Sequence, residues 1–194
     1  MTATPISIPY DPDRWIHVPL DYLATSWSDA GEWSRWIADE ATRGRADAEE
    51  IAPLVHDQAM ATALFPAEHV SARFWHYPVD GFPAGFVDIY VEARDDDGTP
   101  AAELLPEPGM TMVEPVIEPV PSDVFRDAVR RLTLTAILPE ADADPVLLPK
   151  AEWIGAGDGW VGYAVSGDHD VARLNDRLAD TDALFRTLDP RRVS

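Results

Sequence analysis

Cysteine is absent from all 194 residues. That absence removes disulfides, thiolate metal ligands and thiol nucleophiles together, and it fits a reducing, cytoplasmic setting. Lysine is almost absent as well: Lys150 is the single one, and the other 14 of the 15 basic residues are arginine. Set against 35 acidic residues, this leaves a formal charge of −20. Such a field repels phosphate backbones and anionic bilayers, so neither nucleic acid nor membrane is expected as a partner. No apolar run approaches the roughly eighteen residues of a membrane helix. The opening MTATPISIPYDPDRW has neither the basic nor the apolar region of a secretory signal.

Chemical motifs are equally scarce. No two of the 5 histidines stand at His-x-x-x-His or His-Glu-x-x-His spacing, so no metal site is expected. His17 and Asp21 would have to meet Asp168, His169 and Asp170 across the fold to form one. Ser166, in VSGDHD, lacks the G-x-S-x-G elbow of a nucleophilic serine. Asp95-Asp96-Asp97-Gly98 lacks the alternate spacing of a calcium loop and reads as a solvated turn. GDGWVG, residues 157–162, does match G-x-G-x-x-G, with Asp182 twenty residues beyond. A dinucleotide loop must run from strand into helix, yet these glycines lead into WVGYAVSG, a strand-forming run. The stretch is expected to be a hairpin turn, and no cofactor is expected.

What is present is a globular composition. Hydrophobic residues make up 46 % of the chain, enough for one buried core, and residues 1–194 read as a single domain. The acid is uneven: residues 1–121 carry 22 acidic and 6 basic residues, and 122–194 carry 13 and 9. Short strands are expected at Ile6–Ile8 and Trp15–Leu20. A helix should follow Asp29, which has Glu32 at capping-box spacing, and should end near Gly44. A second helical stretch runs from about Ala46 to Leu64, with Pro53 expected to break or restart it. It should bury Ile51, Leu54, Val55, Gln58, Ala59 and Thr62. MTMVEPVIEPV reads as an edge strand because of its prolines, and SDVFRDAVRRLTLTAIL is part helix-like, part strand-like. Strands at VLLPKAEWIGAG and GWVGYAVSG follow. The closing helix, DHDVARLNDRLADTDALFRTLDP, should be capped by Asp168 or Asp170 and carry its apolar stripe on Val171, Leu174, Leu178, Thr181, Phe185 and Leu188.

RFWHYP and FVDIYVEAR flank the turn DGFPAG and should pair antiparallel, with Arg73 opposite Glu92, Trp75 opposite Tyr90 and Tyr77 opposite Asp88. Phe74 would then meet Val91, His76 would meet Ile89 and Pro78 would meet Val87. His76 is expected buried and neutral. Trp75, Tyr77 and Tyr90 fall on the amphipathic face. Either a helix covers them, or with Asp95, Asp96 and Asp97 they form a partner or ligand surface.

The fold class is therefore α+β: a mainly antiparallel twisted sheet with helices packed on it and a C-terminal helix closing the chain. The strand pair around RWIHVPLDY, a helix, successive antiparallel strands and the closing RLADTDALFRTLDP resemble MOG1/PsbP-like domains in layout. That resemblance implies a non-catalytic binding or accessory protein. The leading expectation is accordingly a non-enzymatic, cytosolic protein whose partner is another protein. Two alternatives stand beside it. One is a small enzyme or ligand-binding protein with a Trp/Tyr-lined pocket and His/Asp groups; the other is an acidic mimic of nucleic acid.

Overall fold

A computed structural model describes residues 8–79, 81–95, 98–137 and 145–189. The element order is β1 (Trp15–Val18), α1 (Ala30–Thr42), α2 (Ala48–Leu64), β2 (Ala72–His76), β3 (Phe86–Ala93), β4 (Val116–Pro119), β5 (Asp127–Ile137), β6 (Val146–Ala156), β7 (Trp160–Gly167) and α3 (Val171–Arg186). The seven strands form one antiparallel sheet in the order β1-β2-β3-β7-β6-β5-β4. This is the α+β architecture expected, closed by α3. Two meanders, β1 to β3 and β4 to β7, meet where β7 lies against β3. The connection after β3 must therefore cross β7, β6 and β5 to reach the far edge. It carries a 3₁₀ turn, Ala101–Leu104, fixed by the Ala101 N–H donating to the Asp127 carboxylate at 2.7 Å.

The helices divide the two faces of the sheet. α1 and α2 cover β1 and β2, burying Val18, Trp33, Ile37, Val55, Ala59, Trp75 and Tyr77 in one cluster. α3 lies on the opposite face, where Leu174, Leu184, Phe185 and Leu188 meet Phe74, Val87, Ile89, Trp153 and Ala164. Trp75 is 1 % exposed. It belongs to the helix-covered core and cannot serve as an exposed anchor, and Tyr77 is buried beside it with ring centroids 5.3 Å apart.

Local signals explain most boundaries. The Asp29 side chain caps α1 by accepting from the Glu32 N–H at 2.8 Å, while Glu32 reaches back to Ser28 rather than to Asp29. Gly44 has φ +77° just past the helix end. Asp170 caps α3 through the Ala172 N–H, and Val171, assigned to its stripe, is exposed while Arg177 is buried in its place.

Three expectations are corrected. Pro53 lies inside a continuous α2. The bond it removes would have gone to Glu49, in the exposed first turn where water can replace it, so the helix survives. Leu54 and Gln58, assigned to the buried stripe, are exposed. The β2–β3 pairing differs by four: Arg73 faces Asp88, Phe74 faces Val87 and Trp75 faces Phe86. An even slip preserves both faces, and this register brings Arg73 onto Asp88, an ion pair the expected one would break. His76 is opposite Gly85 rather than Ile89, with its N–H on the Gly85 carbonyl.

Other segments follow the pattern. Of SDVFRDAVRRLTLTAIL, residues 127–137 are strand, while the start is a turn in which Ser122 Oγ accepts from the Val124 and Phe125 N–H groups. β4 is an edge strand with a proline at its end. Asp158-Gly159 forms the β6–β7 turn, with Gly159 at φ +78° and the Gly157 N–H on the Trp160 carbonyl. A strand therefore leaves the glycines and Asp182 sits in α3, neither of which suits a dinucleotide site. The first expected strand lies largely outside the described residues, and Ile8 is irregular and buried.

Candidate functional site

On the face that carries α1 and α2, the helices stop at β3, and the 98–109 connection overhangs β5 and β6. Between them the middle of the sheet is open. A cleft of about 380 Å³ lies there, lined by Tyr90, Glu92, Arg94, Leu104, Pro106, Ile154, Val161 and Tyr163, with Ala93 at one side. Strand pairing sets its floor. Tyr90 faces Tyr163 across β3 and β7, with ring centroids 5.7 Å apart, and Tyr163 faces Ile154 across β7 and β6. The crossing connection supplies Leu104 and Pro106 as the overhanging wall.

Beside this floor, on the same face of the sheet, lies a buried ionic cluster. Glu152 is fully buried. It accepts from the Tyr163 hydroxyl at 2.7 Å, from Arg131 Nε at 2.9 Å and Nη2 at 2.7 Å, and pairs with Lys150 Nζ at 3.1 Å. Arg131 also donates to the Pro106 carbonyl at 2.7 Å, tying the overhang to the floor. Burial pushes the Glu152 carboxyl up, but the bonds from Tyr163, Arg131 and Lys150 outweigh it and hold the group below the usual carboxylate range. Burial first, and then the bond to Glu152, raises the Tyr163 phenol. Tyr163 is thus a locked, neutral wall. Tyr90 is half-buried, its phenol also raised by burial, and among the described residues its hydroxyl has no hydrogen-bond partner.

A second ion pair bounds the open strip. Arg73, fully buried, holds Asp88 at 2.6 and 2.9 Å and donates to the carbonyls of Thr62, Phe65 and Pro66, satisfying the end of α2. Across the sheet, Arg177 of α3 bonds Ser166 Oγ, Asp168 and the carbonyls of Ala84, Arg173 and Gly167. Ser166 in turn donates to the Phe86 carbonyl. Its hydroxyl both donates and accepts, and Asp168 is paired with Arg177.

The residues singled out in the sequence separate as follows. Trp75 and Tyr77 are core. Tyr90 lines the cleft. Asp95 is exposed at the end of β3 and borders a smaller recess beside the cleft; Asp96 and Asp97 lie outside the described residues. His17 packs edge-on against Phe74 at 5.3 Å, and among the described residues no three acidic or histidine groups converge to hold a metal. His76 is buried, with Nε2 2.8 Å from an Asp180 oxygen and its ring against Trp15. Burial lowers its pKa, with Asp180 opposing. His76 is thus buried as expected, and α3 adds Asp180 as a partner for its imidazole.

Sequence reasoning missed Glu152, Arg131, Ile154 and Tyr163. The Asp158-Gly159 turn implies the β6–β7 register that joins Ile154 to Tyr163. Nothing local announces that β7 returns to β3.

No protein-family model matches the chain, and no curated protein matches it in sequence. No helix among the described residues is long and apolar enough to cross a membrane.

Proposed function

We propose that the protein is a non-catalytic, cytosolic binding protein whose recognition element is the cleft floored by Tyr90 and Tyr163. The observation that carries this reading is the opening of about 380 Å³ between the α1–α2 helices and the 98–109 connection. That volume is within the range of small-molecule sites, and the lining mixes the apolar side chains of Leu104, Pro106, Ile154 and Val161 with the polar groups of Tyr90, Glu92, Arg94 and Tyr163. Binding is favoured over catalysis because the two buried polar groups at the floor are committed: Glu152 accepts from three side chains, and the neutral Tyr163 hydroxyl donates its hydrogen bond to Glu152. A general acid or base needs a group free to exchange a proton with substrate. The test is a titration of isotope-labelled protein with acetylnaphthalene, an apolar probe of fitting size. Shifts should centre on Tyr90, Leu104, Ile154, Val161 and Tyr163, and Tyr90→Ala should weaken binding severalfold. Shifts scattered over the surface would remove the cleft from consideration.

The protein-partner reading keeps a separate observation in its favour. Met110, Met112, Val113, Val116 and Ile117 are each about half exposed or more along the β4 edge, an adaptable apolar strip beside Glu114 and Glu118. Strand addition there is disfavoured. The Val120 N–H bonds the Ala128 carbonyl, so ladder alternation turns Pro115, Ile117 and Pro119 outward, and two of these three lack an N–H. A partner would meet the side chains of this strip. Substituting Met112 and Val116 with Asp should abolish capture of such a partner and leave acetylnaphthalene binding unchanged.

A further inference from the structure

We infer that a basic amphipathic helix of another protein docks beside α3, on the strip of sheet that α3 leaves open. This rests on the protein-partner reading above and names what the strip takes. α3 packs on β6 and β7, and on that same face β5 and the edge beyond it carry no helix among the described residues. Pairing sets the rows: Val116 stands opposite Leu132, and Ala136 opposite Leu147. Beyond β4 the Met112 N–H bonds the Leu134 carbonyl and the Ala136 N–H bonds the Met110 carbonyl, either side of the Thr111–Thr135 bridge. Met110 therefore aligns with Ala136, and Met112 with Leu134. Arg130, two residues before Leu132, reaches Asp182 of α3. Alternation along β5 thus puts Leu132, Leu134 and Ala136 on the α3 face, together with Met110, Met112 and Val116 at the edge. One flank of α3 borders the strip. Val171, Leu178 and Asp182 share a helical stripe, which the Asp182–Arg130 pair turns towards β5. Val171 is 63 % exposed there.

The width of the strip fits a helix. Neighbouring strands are about 4.8 Å apart, so the line between β4 and β5 runs about 9.6 Å from the line between β6 and β7. Packed helices stand roughly 8–10 Å apart. A helix laid over β4 and β5 therefore touches the sheet below it and Val171 and Leu178 beside it. The rows from Leu132 to Ala136 span about 14 Å, the length of about nine helical residues. Charge selects whose helix it is. From 98 to 125, the crossing connection and the edge, the chain carries Glu103, Glu107, Glu114, Glu118 and Asp123 and no Arg, Lys or His. Arg130, at the end of the strip, is held by Glu118 and Asp182. Arg173 and Arg177 reach Pro83 and Ala84 on the other flank of α3, and Arg186 lies a turn beyond Asp182. A second copy would bring the same acids and −20 to the contact, whereas a helix with Lys or Arg flanking its apolar stripe meets carboxylates.

The test uses the intact, isotope-labelled protein and three synthetic peptides of about fourteen residues, long enough to cover the strip as a helix. One sets leucines along a single helical face with lysines elsewhere. A second replaces those lysines with glutamates, and a third scrambles the first, keeping its charge and losing its stripe. The Leu/Lys peptide should shift the methyl signals of Met112, Leu132, Leu134, Val171 and Leu178, and should bind about tenfold more tightly than either control. Met112→Gln and Val171→Ser, both at exposed positions, should each weaken it severalfold. Equal binding of the scrambled peptide reduces the effect to bulk charge and overturns the inference, as does tighter binding of the Leu/Glu peptide. If Met112→Gln weakens binding and Val171→Ser does not, the partner never packs on α3: the inference fails and the protein-partner reading stands. If neither variant matters, both fail. Sedimentation of the protein alone should show a monomer. A dimer that Met112→Gln dissociates makes a second copy the occupant and overturns the inference.

Discussion

Replacing Glu152 with Gln keeps the shape of the side chain and removes its charge, which isolates what the buried cluster contributes. Arg131 is 5 % exposed and would be left as a buried cation whose main counter-ion is gone. Breaking one side of such a pair costs about 3–5 kcal/mol. The Gln oxygen still accepts one of the former bonds, worth about 1 kcal/mol, and Lys150 keeps partial access to water, so the low end applies: about 3 kcal/mol. With a urea slope of about 2 kcal/mol per molar, the unfolding midpoint should fall by about 1.5 M with the slope unchanged. The acid limb should change too. The Glu152 pKa is held below its ordinary value, so its stabilisation is complete above that value and is lost as pH falls through the depressed one; the variant should lack that loss. A combined Arg131→Met, Glu152→Leu, Tyr163→Phe variant should recover to within about 1 kcal/mol of the parent, because a well-packed apolar set is often as stable as a buried ionic one. A Glu152→Gln cost under about 0.5 kcal/mol, the level of an ordinary surface change, would refute the reasoning.

Trp75→Ala should cost about 3–5 kcal/mol in urea unfolding, the range for emptying a large core aromatic, while leaving probe affinity in the cleft unchanged. His76 should titrate below an ordinary imidazole by NMR. With its folded pKa lowered, stability should fall as pH drops from the unfolded-state value towards the folded one, and Asp180→Asn should depress the titration further by removing the opposing charge. Gly159→Val, at φ +78°, should cost about 1–2 kcal/mol of stability by thermal or urea unfolding. NAD added to the parent protein should give no saturable change in tryptophan fluorescence.

The fold was legible where the pattern was local. Asp29, Gly44, Asp170 and Asp158-Gly159 mark their ends and turns because capping and positive φ are decided within a few residues. Alternation in RFWHYP and FVDIYVEAR assigns each side chain to its correct face, but a slip of four keeps that alternation, so hydrophobicity alone could not choose between registers. The Arg73–Asp88 pair chooses, and it depends on where the carbonyls at the end of α2 arrive. Arg177 at an apparent solvent position of α3 was illegible for the same reason: its partners Ser166, Asp168 and Ala84 come from other segments. The cleft was least legible of all. Tyr90 stands out as an aromatic on an amphipathic face, but Tyr163, Ile154 and Leu104 reach it only because β7 docks on β3 and the 98–109 connection must cross to the far edge.

The most direct test of the cleft as recognition element is an isotope-filtered NOE experiment on the complex with acetylnaphthalene. Naphthyl protons should show contacts to the methyl groups of Leu104, Ile154 and Val161 together, a set that only the cleft brings to one place. Contacts instead to the methyls of Met110, Met112 and Val116, on the β4 edge, would contradict the account.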